Sequence, residues 1–361
     1  LIFLAALPVL FLLIHALAIV ALLRKRDKKH VPEFWPRISV WVAARNEESH
    51  IRECLEHLNR LDYPREKLQI LIGNDRSEDK TKAIAEDYIK DKPWFTLVDI
   101  EGFAGKARKK ANVLAQLAHR SSGDYYLLCD ADMEVKPGWA KILLAHFSEN
   151  TGVVSSTTRI KPESFFARMQ GLEWIYFMGL LKSAANIGIP CTAIGNNMAV
   201  KKEAYQACGG YENIDFSITE DFKLFQEIRK RGWGWGQVLD ANATSISEPV
   251  CSLSGLMVQR KRWLIGGKEL PLYWKALVLI FGAFIPAVLI LFFFFPGFAL
   301  LAWLLKLLLQ NLFFLIVTKR SGGSFSLKDA LLYEPYFLAI NFITPVFLLL
   351  PGGKKWKGRS F

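Results

Sequence analysis

Two carboxylates separated by one residue, Asp130 and Asp132, follow the apolar run Tyr125 to Cys129. At strand spacing both point to the same side. Carboxylates held that close repel unless a cation joins them. The pair therefore reads as a site for Mg2+ or Mn2+, with a diphosphate supplying further oxygen ligands. The competing reading is an acidic pair that caps a helix or faces solvent. Asp75 closes a second apolar run, Leu68 to Ile72, in the polar turn Gly73-Asn74-Asp75-Arg76-Ser77-Glu78-Asp79-Lys80-Thr81. There its carboxylate could accept from a nucleobase N–H, while Ser77 and Asp79 read equally well as helix caps. Lys106 and Arg108 lie near a helix start, where a phosphate meets side chains and amides together; a solvated charge run fits Arg108 to Lys110 as well. In Thr219-Glu220-Asp221, Asp221 opens the periodicity Phe222, Phe225, Ile228, as a helix-capping acid or as a general base held near an incoming hydroxyl. In Gln259-Arg260-Lys261-Arg262-Trp263, Arg262 offers a planar fork to phosphate and Trp263 a face to a sugar or acceptor. Membrane anchoring is the competing use of that stretch.

The elements that must hold these residues alternate between strand and helix. Ile38 to Ala43 reads as a short buried strand ending at Ala44, Arg45, Asn46 and Glu47. A helix follows, with Ile51, Leu55, Leu58 and Leu61 at helical spacing, and Tyr63-Pro64 stops it. Leu68 to Ile72 is then a strand, Thr81 to Ile89 a helix, Phe95 to Asp99 a strand, Lys106 to Ala118 a helix and Tyr125 to Cys129 a strand. This pattern predicts an α/β, Rossmann-like core: an open, mostly parallel sheet wrapped by helices, with ligands beyond the carboxyl ends of its strands. Asp75 and Asp130 both fall at such ends.

Hydrophobic residues make up 52% of the chain while the net charge is +12, so apolar residues and cations must be segregated. Residues 1–23 read as a transmembrane anchor, and Arg24, Lys25, Arg26, Lys28 and Lys29 directly after it favour a cytoplasmic insert. The expected organisation continues with a catalytic domain over 36–250, an interfacial segment over 251–274, membrane segments over 275–350 and a basic tail over 351–361. Lys275 to Phe295 and Phe298 to Val317 form a hairpin turning at Pro296-Gly297. Leu331 to Leu350 is long enough to span. One crossing there would carry Lys354, Lys355, Lys357 and Arg359 to the far side, so a re-entrant or interfacial course helped by Pro335 and Pro345 is the alternative. The five cysteines are scattered, with neither a disulfide framework nor metal-ligand spacing. Most Lys and Arg border the membrane segments, which suits anionic headgroups and a diphosphate substrate and leaves nucleic acid the weaker partner.

Taken in order, these motifs resemble the family-2 group of inverting glycosyltransferases with the GT-A fold. Within it the chain is similar to membrane-bound members such as ceramide glucosyltransferases, poly-N-acetylglucosamine synthases and carotenoid-ester glycosyltransferases. The resemblance covers Ile38 to Trp263, with a looser match in the membrane tail. It implies a nucleotide pocket lined by Ala44, Arg45, Asn46 and Glu47, a uracil contact at Asp75, and a lysine near the diphosphate at Lys106. It further implies metal and nucleotide contacts at Asp130, with Asp132 binding the metal most directly. Gly195, Asn196, Asn197, Gly210, Tyr211 and Glu220 would lie around the donor sugar, diphosphate and acceptor. Asp221 matches the catalytic base, and Gln259, Arg262 and Trp263 complete a Gln-x-x-Arg-Trp motif. One departure stands in the base-reading pocket, where the family's paired acids before Gly-Ser are here Asn74-Asp75 before Arg76-Ser77. The implied activity is transfer of a sugar from a UDP-sugar to a membrane lipid by one displacement, an α-linked donor giving a β-glycoside. A processive polysaccharide synthase is the alternative, weakened because about four spans are few to line a polymer's path. A non-catalytic sugar-binding protein would be expected to lack one of Asp130, Asp132, Asp221 or Arg262, and all are present.

Overall fold

The computed structural model describes residues 2–24, 30–349, 355–356 and 359–360. Lys25, Arg26, Lys28 and Lys29, and most of the basic tail, lie outside the described residues. In chain order the first elements are α1 (Ile2–Arg24), β1 (Ile38–Ala44), α2 (Ile51–Asn59), β2 (Leu68–Asn74), α3 (Thr81–Ile89), β3 (Phe95–Asp99) and α4 (Lys110–His119). Next come β4 (Tyr125–Asp130), β5 (Met133–Glu134), α5 (Trp139–Leu144), β6 (Thr151–Ser156), β7 (Thr158–Ile160), α6 (Phe165–Asn186), β8 (Asn197–Lys201), α7 (Lys202–Ala207) and α8 (Gly210–Asn213). Then follow α9 (Glu220–Lys230), β9 (Gly234–Val238), β10 (Ser245–Ser247), α10 (Leu253–Gly266), α11 (Leu272–Phe294), α12 (Pro296–Arg320), α13 (Leu327–Leu349) and a short pair of strands, β11 (Lys355–Trp356) and β12 (Arg359–Ser360). Two compact units result: Asp27–Lys161 with Thr192–Pro249, and Leu1–Arg26 with Pro162–Cys191 and Val250–Phe361.

The first unit is a seven-stranded sheet in the order β3-β2-β1-β4-β8-β6-β9. Its central strands are continuous apolar runs, as expected where both faces are covered: Val40, Val42, Ile70, Ile72 and Leu127 have no exposed surface. Strand β1 pairs in parallel with β2 and β4, so that Ala43 stands beside both Gly73 and Asp130. Strand β8 runs antiparallel to β4 and β6. Its direction brings Asn197 opposite Cys129, so the start of β8 meets the carboxyl end of β4. This α/β core with a central sheet is the one the alternation predicts. Helix α4, however, begins at Lys110 rather than Lys106. The chain turns first, with φ of 52° at Gly105 and 55° at Lys109, while the Lys106 amide donates to Glu212 O at 2.8 Å.

The second unit gathers α1, α6 and α10 to α13. Among the described residues, four of its helices are long and apolar enough to cross a membrane: Leu4–Arg24, Leu272–Phe294, Pro296–Arg320 and Leu327–Phe347. The predicted hairpin is α11 and α12, with Pro296 in the first turn of α12, where its missing N–H costs nothing. Residues 162–191, counted by sequence within the 36–250 domain, cluster instead with the apolar helices. Within α6, Ser183 Oγ donates to Ala18 O and Asn186 Nδ2 to Ala21 O, both at 3.0 Å. Helix α13 runs unbroken through Pro335 and Pro345. Arg168 pairs with Asp329 at 3.1 Å near its start, and Glu334 is ion-paired to Lys306 and accepts from Gln310 Nε2 at 2.6 Å. Lys306 and Glu334 are both buried, which is tolerable because each charge meets its opposite.

Candidate active site

At the carboxyl edge of the sheet the loops after β1 and β2 clasp each other. The amides of Asn46, Glu47 and Glu48, which precede α2 and have no helical partner, donate to Ser77 Oγ (3.2 Å), Thr81 Oγ1 (2.7 Å) and Asp79 Oδ2 (3.1 Å). In return Glu78 N donates to Asn46 Oδ1 at 2.9 Å and Lys80 N to Glu48 Oε2 at 3.0 Å. Ser77 and Asp79 thus tie one loop to the other. Arg45 braces the same join, with Nη1 donating to Asp75 O at 2.7 Å and to Arg76 O at 3.1 Å, and ion-pairs with Glu78. Ala44 is buried at the end of β1, and its carbonyl accepts from the Asp75 amide at 2.9 Å. Asn74, where the resemblance expects an acid, links two strand ends through Nδ2 to Asp99 Oδ1 at 2.8 Å. Asp75 stands partly exposed beyond it.

The acidic residues meet on the other side of β1. Lys110 Nζ lies 2.5 Å from Asp130 Oδ1 and 3.3 Å from Glu220 Oε1. Burial would lower the Lys110 pKa, but Asp130 and Glu220 outweigh it and hold the ammonium above the ordinary lysine range. Asp221, in the first turn of α9, accepts from Gly195 N through Oδ2 and from Phe222 N through Oδ1, both at 2.8 Å. Burial and the neighbouring Glu220 raise the Asp221 carboxyl to about 6, against the opposing pull of Lys110 and the two amides. A side chain at Gly195 would not fit, since its Cβ would lie 2.6 Å from Asp221 Cβ. Tyr211 packs in the same neighbourhood; its hydroxyl is buried with no hydrogen-bond partner among the described residues, and burial, then Glu220, raises its pKa.

The structure distributes the remaining candidates unevenly. Lys106 forms an exposed ion pair with Asp215 at 2.9 Å, so the lysine that reaches the acids is Lys110. Sequence gave it no preference over its charged neighbours. The available signal was its place against the buried face of α4, directly before Ala111, Val113 and Leu114. Asn196 accepts from Thr158 Oγ1 at 2.8 Å. Asn197 is wholly buried: it accepts from Trp139 Nε1 and donates to the carbonyls of Thr157 and Ala243. Gly210 holds φ of 63° at the start of α8. In the second unit, Gln259, Arg262 and Trp263 follow at helical spacing on α10, where Trp263 meets Trp174 edge-on at 5.4 Å and Arg260 lies over the Trp263 ring. Arg260 is itself ion-paired with Glu173.

Asp130 and Asp132 offer hard oxygen ligands, partly open to solvent at a strand end, and both act on the nearby Cys129 thiol, whose pKa is raised first by its contact with Cys54 and by burial. That donor set fits Mg2+ or Mn2+ with a diphosphate, and the Tyr211 hydroxyl beside Glu220 and Asp221, buried without a partner among the described residues, fits a polar ligand close by. A second group, Glu53, His57 and Glu134, brings potential ligand atoms within 4.8 Å of one another. It already has a cation: Lys161 Nζ lies 3.0 Å from Glu134, 3.0 Å from Glu248 and 3.7 Å from Glu53.

Known proteins resemble this chain over most of its length. A beta-monoglucosyldiacylglycerol synthase of Synechocystis sp. is 29% identical over 256 residues, 69% of this chain and 51% of that protein. A poly-beta-1,6-N-acetyl-D-glucosamine synthase of Staphylococcus aureus is 29% identical over 235 residues, 64% of this chain and 55% of that protein. The chain thus spans about half the length of these curated relatives. A mannosyltransferase from Pyrobaculum calidifontis, solved with GDP-Man and Mn2+, shares the fold with a TM-score of 0.57 at 19% identity, covering 96% of each chain. The motifs resembled the family-2 group, whereas the profile of glycosyl transferase family 21 matches residues 2–342. By that match the chain belongs to glycosyl transferase family 21, a glycosyltransferase family of the membrane-associated, family-2-like kind.

Proposed function

We propose that the protein is an inverting, metal-dependent glycosyltransferase of GT-A type that moves a sugar from a nucleotide-sugar, with UDP-sugar the expected donor, to a lipid acceptor at the cytoplasmic membrane face. The observation that carries this reading is the convergence of Asp221, Lys110, Glu220 and Asp130 at the carboxyl edge of the sheet, in a chain that also has four helices able to span a bilayer. Asp221 is held by two amides in a carboxylate geometry, and its pKa of about 6 leaves it ionised at neutral pH yet basic enough to take a hydroxyl proton. The acceptor oxygen would then attack the anomeric carbon as the nucleoside diphosphate departs, giving inversion in one displacement. Lys110 lies where it can meet the departing negative charge. A divalent cation held by Asp130 and Asp132 supplies Lewis-acid stabilisation of the diphosphate when bound. Ala44, Arg45, Asn46 and Glu47 form the clasped loop under the nucleoside, with Asp75 reading the base. Gln259, Arg262 and Trp263 keep the roles their motif implies, diphosphate and acceptor binding.

The likeness to a beta-monoglucosyldiacylglycerol synthase supports a lipid acceptor, and that to a poly-beta-1,6-N-acetyl-D-glucosamine synthase supports the second reading, polymer extension. Labelled nucleotide-sugars supplied to the full chain in bilayers containing host lipid extract separate them. One added sugar in a lipid-extractable product supports the lipid reading. A ladder that lengthens with donor supply and resists lipid extraction overturns it.

A further inference from the structure

Asp130 already holds one cation close, which any second cation on that carboxylate must meet. Its Oδ1 is 2.5 Å from Lys110 Nζ, and about a third of each side chain is exposed, so neither is locked in the interior. A divalent cation coordinated by that carboxylate would sit roughly 2.0–2.6 Å from its oxygens, where an ammonium still in place would face it at close range. Lys110 has a second station, because Glu220 Oε1 lies 3.3 Å from the same Nζ. Its backbone is the fixed part: Lys109, directly before it, sits at φ 55° and ψ −135°, a region costly for a side-chain-bearing residue, and Lys110 then opens α4. The long flexible stem of lysine lets the ammonium move while the Cα stays.

Resting on the donor reading above, we propose that Lys110 is the resident counter-ion of Asp130 in the donor-free protein, and that the divalent cation gains this carboxylate only as the ammonium leaves it. A diphosphate arriving with the cation offers the displaced ammonium new oxygen partners. Cation and nucleotide therefore bind with positive coupling: each is weak alone, because the Lys110 to Asp130 pair must open, and the second ligand meets a site already opened. Asp221 and Glu220 face the ammonium from α9 and Asp130 faces it from β4, so the opened state leaves Lys110 on the α9 side of the site.

The test is Mn2+ binding by the full chain in lipid nanodiscs, read from the loss of the free-ion electron paramagnetic resonance signal, with and without UDP. Wild type should bind Mn2+ weakly alone and more tightly with UDP. Lys110→Met should bind Mn2+ alone about tenfold more tightly and lose most of the enhancement by UDP, a change within the usual range of site-to-site coupling. Lys110→Arg, which keeps the charge, should retain the enhancement and guards against a folding defect in the first variant. If UDP enhances Mn2+ binding in wild type and Lys110→Met behaves identically, this inference fails while the donor reading stands. If wild type takes up no Mn2+ even with UDP, both fail.

Discussion

Replacing Gly195 by alanine adds one carbon at the most crowded point beside the candidate base. The new Cβ would lie 2.6 Å from Asp221 Cβ and 2.8 Å from its Oδ2. Carbon atoms in contact settle at roughly 3.5–4.0 Å, so the β8-side loop and the start of α9 must part by about 1 Å. A displacement of about 1 Å at a reacting group costs on the order of 100-fold in rate, and that is the expected loss in kcat. The same movement stretches the 2.8 Å bond from Gly195 N to Asp221 Oδ2, one of the two amide contacts that oppose the rise in Asp221 pKa. The base works only when unprotonated. In wild type, with Asp221 at about 6, the rate should fall to about one-tenth of its plateau by pH 5. In the variant the carboxylate has lost support, so its pKa rises and the acid limb moves to higher pH. Transfer from nucleotide-sugar to extracted lipid, measured across pH at saturating donor, reads both effects. A plateau within about threefold of wild type, with the acid limb unmoved, would refute the assignment of Asp221 and the reason given for glycine at 195.

Three further outcomes are expected. Asp221→Asn should bind donor normally but transfer at least about 100-fold more slowly, and weak binding with normal turnover at saturation would reassign the base. Asp132→Ala should lose most activity through weakened metal-assisted donor binding, so activity that survives in metal-free buffer would count against Asp132. Lys306→Met should destabilise the apolar unit by about 3 kcal/mol or more because it leaves Glu334 buried and unpaired, whereas Lys306→Met combined with Glu334→Gln should recover much of the loss. Thermal denaturation in nanodiscs compares them, and equal stability of the single and double variants would deny the ion pair its structural role.

The sheet was legible wherever local pattern and tertiary demand agree. Buried strands such as Phe95–Asp99, and helices such as Thr81–Ile89 with its polar approach, are specified by runs and breakers that act over a few residues. The membrane helices were equally plain, because nothing but length and apolar composition defines them. Lys110 was not legible, since Lys106, Arg108, Lys109 and Lys110 are chemically alike and only the backbone turn at Lys109 decides which one faces the acids. The partnership of α6 with the apolar helices was hidden for a related reason. Arg168, Glu173 and Lys182 give it the look of a soluble helix, while its contacts through Ser183 and Asn186 depend on residues 165 positions away. Asn197 reads as a ligand-facing amide in sequence, yet its polar atoms are engaged with Trp139, Thr157 and Ala243.

The apolar unit is assembled from three separate visits of the chain, and that has a consequence for its birth on the ribosome. Arg320 Nη1 donates to Leu22 O, closing a bond between residues 298 positions apart. At a synthesis rate of 5–20 residues per second, α1 waits roughly 15 to 60 s for that partner. For the first part of that interval, until α6 is made, His15, wholly buried in the finished protein and 2.9 Å from the Tyr176 hydroxyl, lacks that partner. A nascent chain arrested before α6 would thus leave His15 without the tyrosine that meets it in the finished protein.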